Sequence, residues 1–305
     1  MVLDGASNKL PFVSIVVPAY NAETHIRACL ESLLAQEYPT GKMERVIVDN
    51  MSTDNTINII RQYGMEPLRC EKRGPSAARN SGIQKASGEI VAFLDSDAIA
   101  DPQWLKELVA GFEDPAIWAI GGKIEPARIE SGPELHAQLT RMLDQEKHLA
   151  EKGTFMLPFV ATANAAFRKK ALMAVGGFDE NFLVGEDADL CWRLQETGGK
   201  LAYAEQARVR HYHRSQRPQY FRQIFQYGKA TSHLFAKHQK KTGRKTWIAW
   251  GHHIRLLKAC AVAPVYLCSP PKPWDRFMPL YDICTNLAWT WGRIVGAFRY
   301  GVITF

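Results

Sequence analysis

Glu89-Ile-Val-Ala-Phe-Leu-Asp-Ser-Asp97 is an apolar, β-branched run that stops on two carboxylates. A short run of this kind, bounded by polar residues, suits a strand covered on both faces. Two upstream runs match it: Val13-Ser-Ile-Val-Val-Pro18, followed by Ala19-Tyr-Asn21, and Arg45-Val-Ile-Val-Asp49, followed by Asn50. The spacing between them predicts helices. One covers Ala22 to Gln36, with Ile26, Leu30, Leu33 and Leu34 on its apolar side, and another covers Thr56 to Tyr63 after the helix starters Ser52, Thr53 and Asp54. A third begins at Gly74-Pro-Ser-Ala-Ala, with proline in its first turn. Strands and helices in alternation predict an α/β fold around a parallel, doubly wound sheet.

In such sheets ligands lie beyond the carboxyl ends of the strands. The polar ends Pro18–Asn21, Asp49–Asn50 and Asp95–Asp97 should therefore share one cleft. Further along, the pattern predicts a helix over Asp101 to Phe112 and a strand over Ile117 to Ile124. A long polar helix follows over Pro133 to Lys152, then an extended segment over Thr162 to Arg168. Gly185-Glu-Asp-Ala-Asp-Leu-Cys-Trp-Arg-Leu194 reads as a helix with acids in its first turn, where the helix dipole favours them. Short strands ending near His211 and His213 come next, and from Arg217 the chain turns helical, basic and aromatic.

Asp95 and Asp97, two residues apart just past a strand, can both approach one hard divalent cation, Mg²⁺ or Mn²⁺, of the kind that bridges a diphosphate. The same pair also suits a turn with capping acids. A carboxylate at the Glu186–Asp189 helix start can serve as a general base, and these acids equally suit a capped helix. Arg79, after a glycine-led helix start, fits an anion site or an ordinary surface helix.

Taken together, the blocks VSIVVPAYNAE, VIVDNMSTDNT, RGPSAARNSGI, VAFLDSDA, TANAAFRKKAL, VGGFDENF and GEDADLCWRL resemble family 2 glycosyltransferases, over residues 12 to about 214. The resemblance implies a GT-A fold, a Rossmann-like, mixed and mostly parallel sheet flanked by helices. It also implies inverting transfer of a sugar from a nucleoside diphosphate donor, with a uridine diphosphate sugar expected. By that likeness Pro18, Ala19, Tyr20, Asn21 and Glu23 line the nucleoside pocket, with Asn50 and Ser96 beside it. Asp49 meets the base or ribose, Arg79 the base or diphosphate, and Asp95 the ribose or sugar. Asp97 coordinates the metal with Asp95, and His211 is the expected third ligand, with His213 competing. Asp187 is the expected base and Glu186 orients it or the acceptor. Where many members have Asp-Asp-Gly, this chain has Asp49-Asn50-Met51. Asn50 carries no charge, and Met51 reaches a positive φ less readily than glycine.

No Q-x-x-R-W element and no spanning run of about 18 apolar residues is present, so addition of a single sugar is expected rather than processive synthesis. The start of the chain has no basic segment followed by an apolar run, so no signal peptide is expected. Cys29, Cys70, Cys191, Cys260, Cys268 and Cys284 form no CxxC pair, which reads as reduced, small, buried residues in an intracellular protein.

The net charge is +7, unevenly spread. From residue 200 onward 18 Lys and Arg face three acids, a balance of +15; the remainder has 20 against 28, or −8. With the resemblance ending near 214, the expected division is a catalytic domain, 1–214, and a helical extension, 215–305, that carries most of this basic excess. In the extension Trp250, Trp274, Trp289, Trp291 and Phe305 alternate with Lys237, Arg244, Lys245, Arg255 and Lys258. Trp and Tyr beside Lys and Arg suit a helix lying on anionic lipid. The expectation is a cytoplasmic enzyme peripheral on the inner face of the cell membrane, acting on a glycan or lipid-linked glycan acceptor. Packing on the body or a homo-oligomer is the competing use of this surface. No nucleic-acid motif is found. The other enzyme reading, a sugar-phosphate nucleotidyltransferase, needs a glycine- and lysine-rich loop where Ala19–Ala22 stands.

Overall fold

The computed structural model describes residues 10–150, 156–242, 246–248, 250–269 and 277–304. Arg244, Lys245, Trp274 and Phe305 of the basic aromatic tail lie outside the described residues, as do residues 1–9, which include most of the segment read for a signal peptide.

The first half alternates as the sequence implies. It runs β1 (Val13–Ala19), α1 (Ile26–Leu34), β2 (Met43–Asp49), α2 (Thr56–Gln62), a short β3 (Leu68–Arg69), α3 (Pro75–Lys85) and β4 (Ile90–Leu94). β1 pairs in parallel with β2 and β4, and β2 with β3. Every residue of β4 is buried, because the strand alternates between two cores. Ala92 and Leu94 join Ile26, Leu30 and Trp104 on one face. Val91 and Phe93 join Phe167, Phe178 and Trp192 on the other. α3 lies close on the sheet because Gly82 faces Val16, whose side chain occupies the space a Cβ would need.

Beyond β4 come β5 (Ala98–Ala100), α4 (Trp104–Ala110), β6 (Ile117–Pro126), α5 (Gly132–Leu139), α6 (Gln145–Ala150), β7 (Asn164–Arg168), α7 (Lys169–Ala174), α8 (Glu186–Glu196) and β8 (Lys200–His211). The sheet order is β3-β2-β1-β4-β7-β6-β8-β5. β7 runs antiparallel to both β4 and β6, β8 parallel to β6, and β5 antiparallel to β8. The sheet is therefore mixed and mostly parallel, with helices on both faces, which is the GT-A arrangement.

Three expectations change. The single helix over Pro133 to Lys152 is two, α5 and α6. Arg141 takes a φ of 54° between them, and the Asp144 carboxylate accepts from Lys147 N at 2.9 Å to start the second. The short strands after Lys200 are one continuous β8, bulged against β6 near Gly122 and Lys123. Cys29, Cys70 and Cys191 are buried as expected, whereas Cys260, Cys268 and Cys284 are exposed on the C-terminal helices.

Those helices are α9 (Arg217–Thr242), α10 (Trp250–Cys268) and α11 (Met278–Tyr300), with a small parallel pair, β9 (Thr246–Trp247) and β10 (Ile303–Thr304). α9 and α11 approach closely because Gly228 lies on the Trp289 carbonyl and Gly292 on the Phe225 carbonyl, where no side chain fits. Leu234 and Phe235 of α9 enter the core that holds Phe93 and Trp192. α10 differs, since it buries only Ala259 and Ala263. Among the described residues no helix is long and apolar enough to cross a membrane.

Candidate active site

β1, β2, β4 and β8 all point their carboxyl ends the same way, which gathers the predicted polar residues at one end of the sheet. The turn after β4 is closed by Ala98 N donating to Asp95 O at 3.0 Å, and Tyr212 N donates to Asp97 O at 2.9 Å. With Ala98 paired to His211 across β5 and β8, this places His211 over the two aspartates. Its Nε2 lies 3.2 Å from Asp97 Oδ1 and 3.8 Å from Asp95 Oδ2. One ligand atom from each of the three lies within 4.8 Å of the others. Two carboxylates and an imidazole fit Mn²⁺ well, and the carboxylates fit Mg²⁺.

The electrostatics agree with a cation site. Burial alone would lower the His211 pKa, but Asp97 and Asp95 outweigh it and raise it. Burial works against ionised Asp97 too, yet His211 and Arg214 hold its pKa well below the usual carboxylate range. His211 Nδ1 is buried without a hydrogen-bond partner. The His213 ring sits 5.4 Å from that of His211, but His213 is outside the three-group cluster. Burial and the neighbouring His211 push its pKa down to about 4.

On the other side of Asp95 stands Arg79, only 5% exposed. Its Nη2 is 3.0 Å from Asp95 Oδ1 and its Nη1 2.7 Å from Glu186 Oε1, while Nε is buried with no partner. Arg79 thus ties the turn after β4 to the first residue of α8. That helix begins at Gly185, whose φ of 84° an L side chain would resist, against Leu234 and Ala230 of α9. Asp187, half-buried one residue later, accepts from Ala188 N at 2.9 Å. Burial, then the charge of Glu186, outweighs the pull of Arg79 and pushes its pKa up to about 7. A carboxylate poised there suits a base working near neutrality.

Asp189 belongs to a different arrangement. Fully buried, it meets Arg193 Nε at 2.9 Å, His238 Nε2 at 2.9 Å and Lys237 Nζ at 2.7 Å. Burial opposes its charge, but hydrogen bonds from His238 and Lys237 win and hold its pKa at about 2. Asp189 therefore clamps α8 to α9.

The loops after β1 and β2 are laced together. Asn21 N donates to Ser52 Oγ at 3.0 Å, Asn21 Oδ1 accepts from Thr53 N at 2.8 Å, and Glu23 Oε2 accepts from Asn55 N at 3.0 Å. Ala19 is buried and its carbonyl accepts from Asn50 N at 2.8 Å; Pro18 is half-buried beside it. Buried Asp49 accepts from Ser52 N at 3.2 Å. The Asn50 amide donates to Lys72 O and accepts from Gly74 N, both at 2.7 Å, which links β2 to the start of α3. Met51 does take a positive φ, 67°. Ser96 is half-buried within the turn after β4, and Tyr20 is exposed.

Sequence reasoning missed three residues here. Arg73 covers the Tyr20 ring at 4.9 Å and donates to its hydroxyl at 2.6 Å. Arg214 Nη1 is 3.7 Å from Asp97 Oδ2; its place directly after the HYH triplet was the available signal. Tyr227 of α9 is close enough to Asp187 that, with burial, the carboxylate raises its pKa. It lies past the stretch of resemblance and carried no signal.

The family model for glycosyl transferase family 2 matches residues 14–176. Glycosyltransferase AglE of Haloferax volcanii is 34% identical over 206 residues, covering 65% of this chain and 66% of that protein. The chain spans between about half and two-thirds of the length of the first curated relatives it matches. Among solved structures, mannosyltransferase PcManGT from Pyrobaculum calidifontis, in complex with GDP-Man and Mn²⁺, superposes with a TM-score of 0.65 at 21% identity, covering 93% of this chain and 88% of that one. TarS 1–349 of S. aureus in complex with UDP-GlcNAc gives a TM-score of 0.53 at 17% identity, covering 95% and 92%. A family match over more than half of its length, on a mixed sheet with this cluster of acids at the strand ends, makes the chain a member of glycosyltransferase family 2.

Proposed function

We propose that the enzyme moves one sugar from a nucleoside diphosphate sugar to a hydroxyl acceptor, with inversion at the anomeric carbon. The observation that carries this reading is the run of contacts from His211 through Asp97 and Asp95 to Arg79 and Glu186, with the raised carboxyl of Asp187 next in the chain.

Asp95, Asp97 and His211 would hold Mg²⁺ or Mn²⁺, which when bound neutralises charge on the leaving diphosphate. Arg79 fixes Asp95 and Glu186 relative to each other. Pro18, Ala19, Tyr20, Asn21 and Glu23 form the nucleoside side with Asp49, Asn50 and Ser96. Asn21, Glu23 and Asn50 act there through the loop they hold. Asp187 takes the proton of the acceptor hydroxyl. The hydroxyl oxygen attacks the anomeric carbon from the face opposite the diphosphate, and the carbon–oxygen bond to phosphate breaks with its electron pair leaving on the diphosphate. One displacement inverts the centre. No second carboxylate nucleophile is needed.

The donor base is proposed as uridine. Solved structures of this fold hold either a uridine or a guanosine sugar, so the test spans both. Residues 1–214 supply the chemistry. Residues 215–305 are assigned to the acceptor side and to the anionic inner leaflet of the membrane, in the cytoplasm. α10 exposes Ile254, Leu257 and Val265, carries Arg255 and Lys258, and contains no acid, which suits anionic lipid.

The deciding experiment measures release of nucleoside diphosphate from a panel of UDP- and GDP-sugars, with Mn²⁺, with Mg²⁺ and with chelator. One donor should be turned over, and chelation should abolish it. Absence of metal-dependent release from every donor overturns the reading.

A further inference from the structure

We propose that a cavity beside Asp187 is the acceptor subsite and that it takes a sugar carried on an apolar anchor, a lipid-linked glycan rather than a free one. This rests on the glycosyl-transfer reading above and names the acceptor class for it.

The cavity has a volume of about 350 Å³, within the usual range for small-ligand sites. Asp187 stands on its wall. Ile224, Tyr227 and Thr231 of α9, Trp289 of α11 and Arg255 of α10 line the rest with other residues. It thus extends from the half-buried carboxyl to an exposed arginine at the protein surface. The lining surface is mostly apolar, but Thr140, Asp282, Thr285 and Asn286 put polar groups on it. These can hold the hydroxyls of one sugar, while a larger free oligosaccharide would set further hydroxyls against Ile224 and Trp289, at a cost for each left unpartnered. An apolar chain beyond that sugar would not.

The surface beyond the cavity continues the same chemistry. α10, which supplies Arg255, exposes Leu257 to 70% and Val265 to 61% of their area. Its Trp250–Cys268 segment holds basic residues and no acid. A phosphate joining sugar to lipid would meet Arg255 there, and the lipid would lie along α10. The hydroxyl of the sugar would then reach Asp187 from the membrane side.

The test is equilibrium binding to the full chain by calorimetry, with probes kept below their micelle concentrations. Decyl maltoside is compared with maltose, and decyl phosphate is added as the anionic probe. The wild type should bind decyl maltoside saturably and at least tenfold more tightly than maltose. Thr231→Trp and Ile224→Trp should remove that difference while Mn²⁺-dependent binding of UDP and GDP stays unchanged. Arg255→Glu, at an exposed position that leaves folding intact, should weaken decyl phosphate about tenfold and spare decyl maltoside; it decides the matter if the tryptophan variants do not fold. Equal binding of maltose and decyl maltoside overturns the proposal. So does alkyl binding that survives Thr231→Trp but is lost in Leu257→Glu, since the anchor would then sit on the outer face alone. Failure of donor turnover would sink the catalytic reading yet leave these binding results standing, so the two failures are distinguishable.

Discussion

Arg79 and Glu186, 107 positions apart in the chain, meet at 2.7 Å between Nη1 and Oε1. The other arm of the same guanidinium holds Asp95, so one side chain sets the spacing between the aspartate turn and the helix that carries Asp187. Arg79→Ala leaves two carboxylates facing each other without their cation. We expect transfer to fall at least about 100-fold, and stability by about 3 kcal/mol, the usual loss when a buried ion pair is broken. Arg79→Lys should recover part of the stability and little of the rate, because a compact ammonium does not hold Asp95 and Glu186 at the fixed spacing that the two arms of a planar guanidinium set. Thermal melts and kcat/KM for both variants check this.

Asp187→Asn removes the proposed proton acceptor and keeps the shape. Transfer should fall by about 10²–10⁴-fold, the range for loss of general-base catalysis, with donor binding unchanged. In the wild type, the carboxyl raised to about 7 must be ionised to act as the base, so kcat/KM should climb with pH through that region and level off above it. A pH–rate profile flat from 5.5 to 8 would remove Asp187 from the role.

Asp97→Ala and His211→Ala each delete a ligand of the proposed cation site. Each should weaken Mn²⁺ binding, measured with nucleoside diphosphate present, by more than the roughly 10–100-fold that outer-shell changes cost. His213→Ala, at the neighbouring ring, should leave Mn²⁺ binding near the wild-type value.

Asp189 offers a separate test by pH. Its folded pKa, about 2, lies below the ordinary 3.8, so its ionised form stabilises the fold. That contribution is complete above pH 3.8 and is lost as pH falls towards 2. Its size is about 2 kcal/mol by linkage. Asp189→Asn should lower stability at neutral pH and flatten the acid limb between pH 4 and 2, read from denaturant melts.

Much of the first half of the chain was legible in the sequence because strands covered on both faces have little choice of composition. The runs at Val13, Arg45 and Glu89 announced both the strands and the residues at their ends. The direction of β7 was not legible. Asn164–Arg168 is a short apolar segment with nothing to say which way it runs, and it makes the sheet mixed. The Arg79–Glu186 contact was not legible either, since pairing at that separation leaves no local trace. From the residues alone the acids of α8 looked alike, and only the family resemblance picked out Asp187. The partners that set Asp189 apart are Arg193 on the same helix and Lys237 and His238, brought by a helix beyond that resemblance. The docking of that helix depends on Gly228 and Gly292, whose small size means nothing until the facing carbonyls are in place.

Met51 is one of the two positions, with Asn50, where family form and this chain differ. It holds φ 67° with its side chain half exposed, a conformation that costs an L residue about 1–2 kcal/mol. Glycine gives back about 0.5–1 kcal/mol of that through unfolded-state entropy. Met51→Gly should therefore raise stability by about 0.5–1 kcal/mol. A lower melting temperature would show that the methionine side chain makes a contact worth more than the strain.

The clamp on Asp189 bears on what the smallest working enzyme can be. A fragment ending near residue 214 retains every acid of the cleft, yet strips Lys237 and His238 from a carboxylate with no access to water and bares the face that Leu234 and Phe235 cover. Such a truncation should aggregate or lose α8, and with it Asp187. The family signature stops short of the residues that hold α8 in place.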